Sequence, residues 1–529
     1  MLVNNTQTSA NRQIARAAST VMLAFVLSNL TGLIRQMLVS REFGTESVLD
    51  AYNAAATFPD LLFSLIAGGA LASAFIPVLA DFITKDDRRN AWYLTSSLTN
   101  LVVVALIAVS VLSMIFADQI VQYIIAPRMA PELQALTASL MRILLISPVV
   151  FGVSGILMGV LNANQIFIWS ALAPTMYWLG MIFGVLALSP RMGIYGLAWG
   201  AVLGAFMHLF IQIPATVRLP SRRFFPTLGL SSPAVREVGK LMGPRLIGVA
   251  VVQINFVVNT IIATALIPGS LASIKYAWAI MTMPQVIIAQ AIAIAALPTF
   301  SAQVAQGKLS EMRSSLAATL RGVVTLALPA ALGLIILRQP IISMLFERGE
   351  FNSRSTEMVA WALLWYTVGL VGHSIVEIVS RAFYALHDTR TPVIIGTIAM
   401  SLNVLFSFAF AKLFSMLGWM PHGGLALANS AATTLEMVVL LIYMRRRLNG
   451  LDGKDLLTGA AQVSLASILM SAALFIWLEL TLGQSAWIVG LGGVLIGGAV
   501  FLMSAIILRL REVVAAWREI KIRFRIKFL

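Results

Sequence analysis

Long apolar segments alternate with short polar segments along almost the whole chain, and this pattern predicts a bundle of membrane-spanning helices. The hydrocarbon core of a bilayer is about 30 Å thick, and a helix of about 20 apolar residues crosses it. About 14 segments reach that length, so we expect a transmembrane helix in each of them. The predicted spans are 16–40, 50–82, 92–117, 135–161, 167–188, 193–217, 237–266, 271–303, 316–337, 356–386, 391–414, 423–444, 456–482 and 485–508.

The composition favours an all-α polytopic membrane protein. Of the 529 residues 59% are hydrophobic and only 11% are charged, whereas soluble domains are about 25% charged. The chain has no cysteine, which excludes disulfides and thiolate chemistry, and its four histidines are scattered singly. We therefore expect neither a metal site nor a cofactor.

The basic residues predict the orientation of the chain and one of its partners. With a cytoplasmic N-terminus, most of the 37 Lys and Arg residues fall in segments on the cytoplasmic side, as the positive-inside rule requires. An even number of spans then places both termini in the cytoplasm. The net charge is +15, and the basic residues that produce it flank the apolar spans. This placement favours contact with anionic lipids over nucleic acid. Residues 511–529 alternate basic and apolar positions and are expected to lie on the inner leaflet.

A weak internal repeat predicts the domain organisation. Ala70–Phe82 resembles Ala291–Gln303, and Pro77 matches Pro298. Two repeats in the same orientation are typical of transporters with a substrate site between two lobes. The predicted domains are a six-helix lobe at 1–220, a second six-helix lobe at 221–447, two additional helices at 448–510 and the basic tail at 511–529.

A charge and several helix-breaking residues interrupt the first two spans. A charged side chain inside the bilayer costs several kcal/mol unless a cavity or a partner receives it, so Arg35 indicates a polar cavity. A planar guanidinium there can bind a diphosphate, or it can form an ion pair with Asp50 that orders the bundle. Gly and Pro bend helices at membrane depth, so we expect bends at Gly32, Pro59, Gly68, Gly69 and Pro77.

Several collinear segments resemble the MurJ (MviN) family of lipid II flippases in the MOP exporter superfamily. They include GLIRQMLVSREFG from Gly32, AGGALASAFIPVLADF from Ala67 and SRAFYALHDTRTPV from Ser380, and the resemblance covers almost the whole chain. It implies a monomeric fourteen-helix flippase of the bacterial inner membrane, with two lobes that alternate between inward-open and outward-open states. It also implies a substrate of undecaprenyl-pyrophosphate-linked disaccharide peptide, a groove for the lipid tail on the final two helices, and cell-wall synthesis enzymes as partners.

The chain departs from the family pattern among the cavity arginines. The resemblance assigns substrate binding to Arg35 and Asp50, which fall on family positions. The family usually has arginine where this chain has Asn29, Phe63 and Ala279, and Asn29 is retained as a candidate binding residue.

Two other cations are candidates for substrate binding. Lys275 lies one helical turn before Ala279, so we hypothesise that it replaces the missing arginine. Alternatively, Lys275 extends to the outer membrane interface from the start of its helix. Arg245 follows Pro244 at the cytoplasmic start of the seventh span, where it either guards the inward-facing entrance or anchors the topology.

Three residues are candidates for ion coupling. Glu436 lies at the middle of the twelfth span without a partner nearby in sequence, and a buried carboxylate can carry a proton. Asn259 and Asn403 offer amide oxygens that can coordinate sodium. The membrane potential alone supplies about 2.3 kcal/mol per charge per 100 mV.

Lipid II transport competes with three other functions. A sister MOP-type flippase for another polyprenyl-linked oligosaccharide and a transport-dead scaffold both fit the missing arginines. A membrane-embedded glycosyltransferase needs clustered carboxylates, but the only adjacent acidic pair is Asp86 and Asp87 in a short basic loop. We therefore expect a transporter rather than an enzyme.

Overall fold

A computed structural model describes residues 2–66 and 70–514, and these residues form helices, turns and loops without a strand. The helical architecture confirms the predicted all-α membrane fold. By internal packing the chain divides into a first unit, Met1–Gly269, and a second unit, Ser270–Leu529. The lobe boundaries that the repeat suggests, after residues 220 and 447, stay a prediction.

The first unit contains twelve α-helices among its described residues, and π-helical turns at Val121–Ile125 and Gly184–Leu188 directly follow the fifth and the eighth of them. The helices are α1 Leu2–Phe43, α2 Ser47–Ile66, α3 Ala70–Thr84, α4 Arg88–Ile115, α5 Ala117–Ile120, α6 Pro131–Leu144, α7 Ile146–Ala163, α8 Phe167–Phe183, α9 Ser189–Met192, α10 Ile194–Phe210, α11 Ile213–Val217 and α12 Pro233–Thr264.

The second unit contains nine α-helices within the described part of the chain. They are α13 Ser270–Gln285, α14 Ala291–Ala305, α15 Leu309–Phe346, α16 Ser353–Val368, α17 Leu370–Ala385, α18 Arg390–Met416, α19 His422–Arg447, α20 Gly453–Leu480 and α21 Ala486–Ile507. Asn352 caps α16, since its Oδ1 accepts a hydrogen bond from the Ser355 N–H at 3.0 Å.

The number of membrane spans is close to the prediction, but the count of 14 is not confirmed. Among the described residues eleven helices are long and apolar enough to cross a membrane, or up to 13 if each of two bent helix pairs is one span. The predicted span at 50–82 corresponds to α2 and α3, which lie on either side of residues 67–69. Those three residues, including the candidate hinges Gly68 and Gly69, lie outside the described residues, as does most of the basic tail from residue 515.

The other candidate bends lie within continuous helices. Helix α1 runs through Gly32 without a break. Pro59 lies inside α2 and Pro77 lies inside α3. An internal proline removes a backbone hydrogen bond and kinks its helix, which is compatible with bending at Pro59 and Pro77. The role of these residues as hinges stays a prediction.

Helices α8 and α10 pack with their backbones in contact. A Cβ atom on Gly180 would lie 2.3 Å from the Gly204 Cα, and a Cβ on Gly184 would lie 2.5 Å from the Gly200 Cα. Close backbone approach through small residues is the usual way in which helices associate inside a bilayer, where lipid weakens the hydrophobic driving force. This contact fixes the position of α8, whose residues Tyr177 and Trp178 belong to the candidate site described below.

The last two helices are attached to α15. Leu337 of α15 packs in one apolar cluster with Leu474 of α20 and Phe501 of α21. An ion pair joins the Arg321 Nε to the Glu512 Oε1 at 2.8 Å, with both side chains mostly buried. A buried pair of this kind holds its two segments together because separation would leave uncompensated charges.

We predict that Gly180→Ala destabilises the protein. The new methyl group would meet backbone atoms of α10 at 2.3 Å, which cannot move aside as a side chain can. Thermal unfolding of the detergent-solubilised protein should shift down by several degrees, as expected for overpacking of about 1–3 kcal/mol.

Gly239→Ala is the matched control. Gly239 is helical and a Cβ there meets nothing within 4 Å. Because alanine has a higher helix propensity than glycine, the stability of this variant should be equal to that of the wild type or slightly higher. Equal melting temperatures for the two variants would show that the contact between α8 and α10 is not tight.

Candidate functional site

Arg35 lies on α1 against an aromatic ring rather than against a carboxylate. Its side chain is half-buried, and its Cζ lies 4.8 Å from the centroid of the Trp178 ring of α8. The buried Nε has no hydrogen-bond partner, and none of the ion pairs among the described residues includes Arg35. Stacking over indole is the strongest of the cation–π arrangements that proteins use.

Further polar groups of the first unit surround this pair. The Tyr177 ring lies 4.9 Å from the Trp178 ring. Arg35 and Asp60 are both close enough to interact electrostatically with the Tyr177 hydroxyl. The same two charges also interact with the buried Tyr52 hydroxyl. Asp60 follows Pro59 on α2 and is exposed. The first unit thus carries a polar site with one cation, one anion and three aromatic side chains at membrane depth.

One wall of the site is apolar at Phe63, a position where the resemblance described above implies a cation. Phe63 of α2 packs on Phe151 of α7 with a centroid distance of 4.8 Å, and Phe151 packs on Tyr177 at 5.2 Å. A phenylalanine in this aromatic run cannot neutralise a phosphate. Arg35 therefore has no second cation at the Phe63 position to share an anionic ligand.

Asp50 makes a structural contact at the start of α2. It is 4% exposed, and its Oδ2 accepts a hydrogen bond from the Gly269 N–H at 2.7 Å. Gly269 has a φ of +87°, and a Cβ there would lie 2.2 Å from the Thr45 carbonyl oxygen. Asp50 thus fastens the segment after α12 to α2. The proposed alternative, an ion pair between Arg35 and Asp50, does not occur, and substrate binding by Asp50 stays a prediction.

The remaining candidates of the first unit are bound to their own helices or lack a described side chain. The Nδ2 of Asn29 donates to the Phe25 carbonyl at 2.9 Å, and its side chain is exposed. The Nδ2 of Asn259 donates to Asn255, to the carbonyl at 3.1 Å and to Oδ1 at 3.0 Å. Arg245 lies on the backbone of α12, and its side chain lies outside the described residues.

The second unit holds the other candidate charges. Lys275 is half-buried on α13. Glu436 is half-buried on α19, and Gly396 of α18 leaves room for it, since a Cβ there would lie 3.2 Å from Oε1. On α17 Arg381 donates to Glu377 at 2.7 Å, one helical turn away, as the sequence spacing predicts. The charges of Arg381, Glu377 and Glu436 interact electrostatically with the Tyr384 hydroxyl.

Asn403 is fully buried on α18. Its Oδ1 accepts a hydrogen bond from the Ser407 hydroxyl at 3.1 Å, while its Nδ2 has no partner. The amide oxygen proposed as a sodium ligand is therefore already hydrogen-bonded. Within the described ranges no group of three or more His, Cys, Asp or Glu side chains is arranged to hold a metal.

Sequence reasoning missed Trp178, whose ring faces Arg35, and Tyr177, which packs on that ring. Both lie in an apolar span, where an aromatic residue is usually a lipid or core contact. One signal was available: Gly32 lies three residues before Arg35, hence on the same face of α1, and leaves space for a large side chain. A Cβ on Gly32 would lie 3.4 Å from the Trp178 Nε1.

Comparison with known proteins identifies the family. The family model described as "Lipid II flippase MurJ" matches residues 39–495. The lipid II flippase MurJ of Burkholderia cenocepacia is 30% identical over 439 residues, which cover 82% of this chain and 84% of that protein. The probable lipid II flippase MurJ of Vibrio cholerae is 26% identical over 96% of this chain and 99% of its own.

Solved structures agree. A lipid II flippase MurJ in an inward closed conformation superposes with a TM-score of 0.79 and 26% identity, over 92% of this chain and 98% of that one. An inward-facing MATE-family transporter of the MOP superfamily shares the fold, with a TM-score of 0.68 and 16% identity over 80% of this chain and 96% of its own. The chain therefore belongs to the MurJ family, a family of multi-pass inner-membrane lipid II flippases.

Proposed function

We propose that this chain is a lipid II flippase, which moves the undecaprenyl-pyrophosphate-linked disaccharide peptide from the inner to the outer leaflet by alternating access. Its membership of the MurJ family supports the substrate and the direction. The observation that carries the proposal in this chain is Arg35, a cation at membrane depth that faces the Trp178 ring, forms no ion pair with a carboxylate of the described residues and keeps its Nε without a hydrogen-bond partner. A guanidinium whose donors are not bound by a carboxylate is suited to the diphosphate of a lipid-linked sugar.

The orientation and the partners follow from the same proposal. Both termini lie in the cytoplasm, which the excess of Lys and Arg in the predicted inner segments supports. Anionic lipids contact the basic inner surface, and the final helix pair, α20 and α21, receives the lipid tail. The protein acts as a monomer that transports without covalent chemistry and works beside cell-wall synthesis enzymes.

The first test is rescue of a bacterium depleted of its own lipid II flippase. The wild-type chain should restore growth, and Arg35→Ala should lose that rescue because it removes the charge-assisted hydrogen bonds to the diphosphate, worth at least about tenfold in affinity. Arg35→Lys should rescue partially, since a lysine keeps the charge without the planar fork.

The matched control is Arg89→Ala, which removes an exposed arginine at the start of α4 and should leave rescue intact. All variants must reach equal membrane levels, measured by immunoblot. Failure of the well-inserted wild-type chain to rescue would favour another polyprenyl-linked oligosaccharide as substrate, or a transport-dead scaffold. The apolar Phe63 in place of a family arginine is the observation behind that alternative.

Lys275 supplies a second cation in our proposal. Lys275→Gln should weaken binding of lipid II to the protein in nanodiscs about tenfold, because it removes one positive charge that can bind the anionic diphosphate. The exposed Lys412 of α18 offers the control Lys412→Gln, which should bind as the wild type does. Unchanged affinity in Lys275→Gln would instead assign this lysine to the outer membrane interface.

Glu436 carries the coupling proton in our proposal. The carboxylate faces Gly396 and acts on Tyr384, yet it forms no ion pair with the described residues. In proteoliposomes Glu436→Gln should make the flipping rate insensitive to an imposed pH gradient, because a glutamine cannot exchange a proton. Glu479→Gln, at an exposed position on α20, should respond as the wild type does, and the same response in Glu436→Gln would leave sodium or the membrane potential as the driving force.

A further inference from the structure

An arginine that binds a diphosphate inside a membrane must satisfy two opposed requirements. Without any partner the guanidinium costs several kcal/mol to bury. With a carboxylate partner it loses the net charge and two of the five N–H donors that would otherwise bind the ligand. The second unit contains an arginine with a carboxylate partner, since Arg381 donates a hydrogen bond to Glu377 at 2.7 Å.

The first unit resolves this conflict with an aromatic ring. The Arg35 Cζ lies 4.8 Å from the Trp178 centroid, closer than the 5.5 Å of Arg348 over Trp487 or the 5.8 Å of Arg381 over Tyr384. An indole attracts a cation through the negative potential of its face. That attraction acts on the face of the guanidinium and leaves the N–H donors in its plane, among them the unpartnered Nε–H, directed elsewhere.

We propose that Trp178 is a positioning residue for the substrate diphosphate: its indole, rather than an ion-paired carboxylate, holds the Arg35 guanidinium, so that the positive charge and the in-plane donors stay available to the ligand. This inference rests on the proposed function, and it adds to it a residue that acts on the diphosphate through Arg35. A neutral ring compensates the burial of the cation without cancelling its charge.

The surroundings hold the indole at this place. Gly32 of α1 provides the space, since a Cβ there would already lie 3.4 Å from Nε1 and 3.5 Å from Cε2 of Trp178. Tyr177 packs at the side of the ring with a centroid distance of 4.9 Å. Helix α8 itself is fixed by the contact of Gly180 with Gly204. A ring restrained on several sides loses little conformational entropy when the ligand binds, as preorganised binding requires.

The test is a double-mutant cycle on binding of undecaprenyl diphosphate to the full chain in nanodiscs. Trp178→Leu keeps an apolar side chain but removes the π-face, so binding should weaken about fivefold to tenfold. Trp178→Phe keeps a weaker π-face and should weaken binding about twofold to threefold. In the background of Arg35→Ala, Trp178→Leu should have no further effect, because the indole acts through the guanidinium.

Trp199→Leu on α10 is the control, since that tryptophan is 40% exposed and lies outside the site. It should bind undecaprenyl diphosphate as the wild type does. Undecaprenyl monophosphate should show a smaller loss with Trp178→Leu than the diphosphate, because it has fewer acceptor oxygens for the in-plane donors.

The outcomes separate this inference from the proposed function. No binding of undecaprenyl diphosphate by the wild type would overturn both. Binding by the wild type with equal affinity in Trp178→Leu, or an equal loss with and without Arg35, would overturn the role of Trp178 and leave the flippase proposal intact. If Trp178→Leu lowers the melting temperature, the Phe variant decides: wild-type affinity in Trp178→Phe together with full additivity to Arg35→Ala would overturn the inference.

Discussion

A charge or an unpaired backbone N–H or C=O group inside a hydrocarbon layer has no water to solvate it. This constraint explains most features of the structure. Every long segment is helical because a helix pairs its own backbone groups. Two of these helices, α8 and α10, approach so closely that Gly180 and Gly204 have no room for side chains. The few charges at membrane depth each have a particular environment, and those environments are where the two units differ.

Arg381 and Arg35 illustrate two ways to place a guanidinium in a membrane. Arg381 pairs with Glu377 at 2.7 Å, so the pair is neutral and its attraction for an anion is weak. Arg35 faces an indole at 4.8 Å and retains its charge. Only the second arrangement leaves the guanidinium donors unbound by a carboxylate, and it supports anion binding at a low local dielectric, where charges interact most strongly. The proposed flippase function and the role of Trp178 both depend on this difference.

The departures from the family pattern have a consistent physical meaning in the first unit. Phe63 joins an aromatic run with Phe151 and Tyr177 that leads to Trp178. In the first unit the site combines one cation, Arg35, with aromatic faces. Such a site carries less positive charge, so a diphosphate must be bound by fewer and better oriented donors. Orientation of Arg35 therefore matters more here than in a site where several arginines share the phosphate oxygens.

The sequence by itself determined the fold class, most of the spans and the family, and it indicated Arg35 as a candidate binding residue, because hydropathy over about 20 residues and an intramembrane charge are local properties. Only the tertiary structure decided which groups the side chains of Asp50 and Arg35 contact. Asp50 binds the Gly269 N–H, far along the chain, and Arg35 meets Trp178 on another helix, because lateral helix packing sets both contacts. The Glu377–Arg381 pair was predictable, since both residues lie on one helix one turn apart.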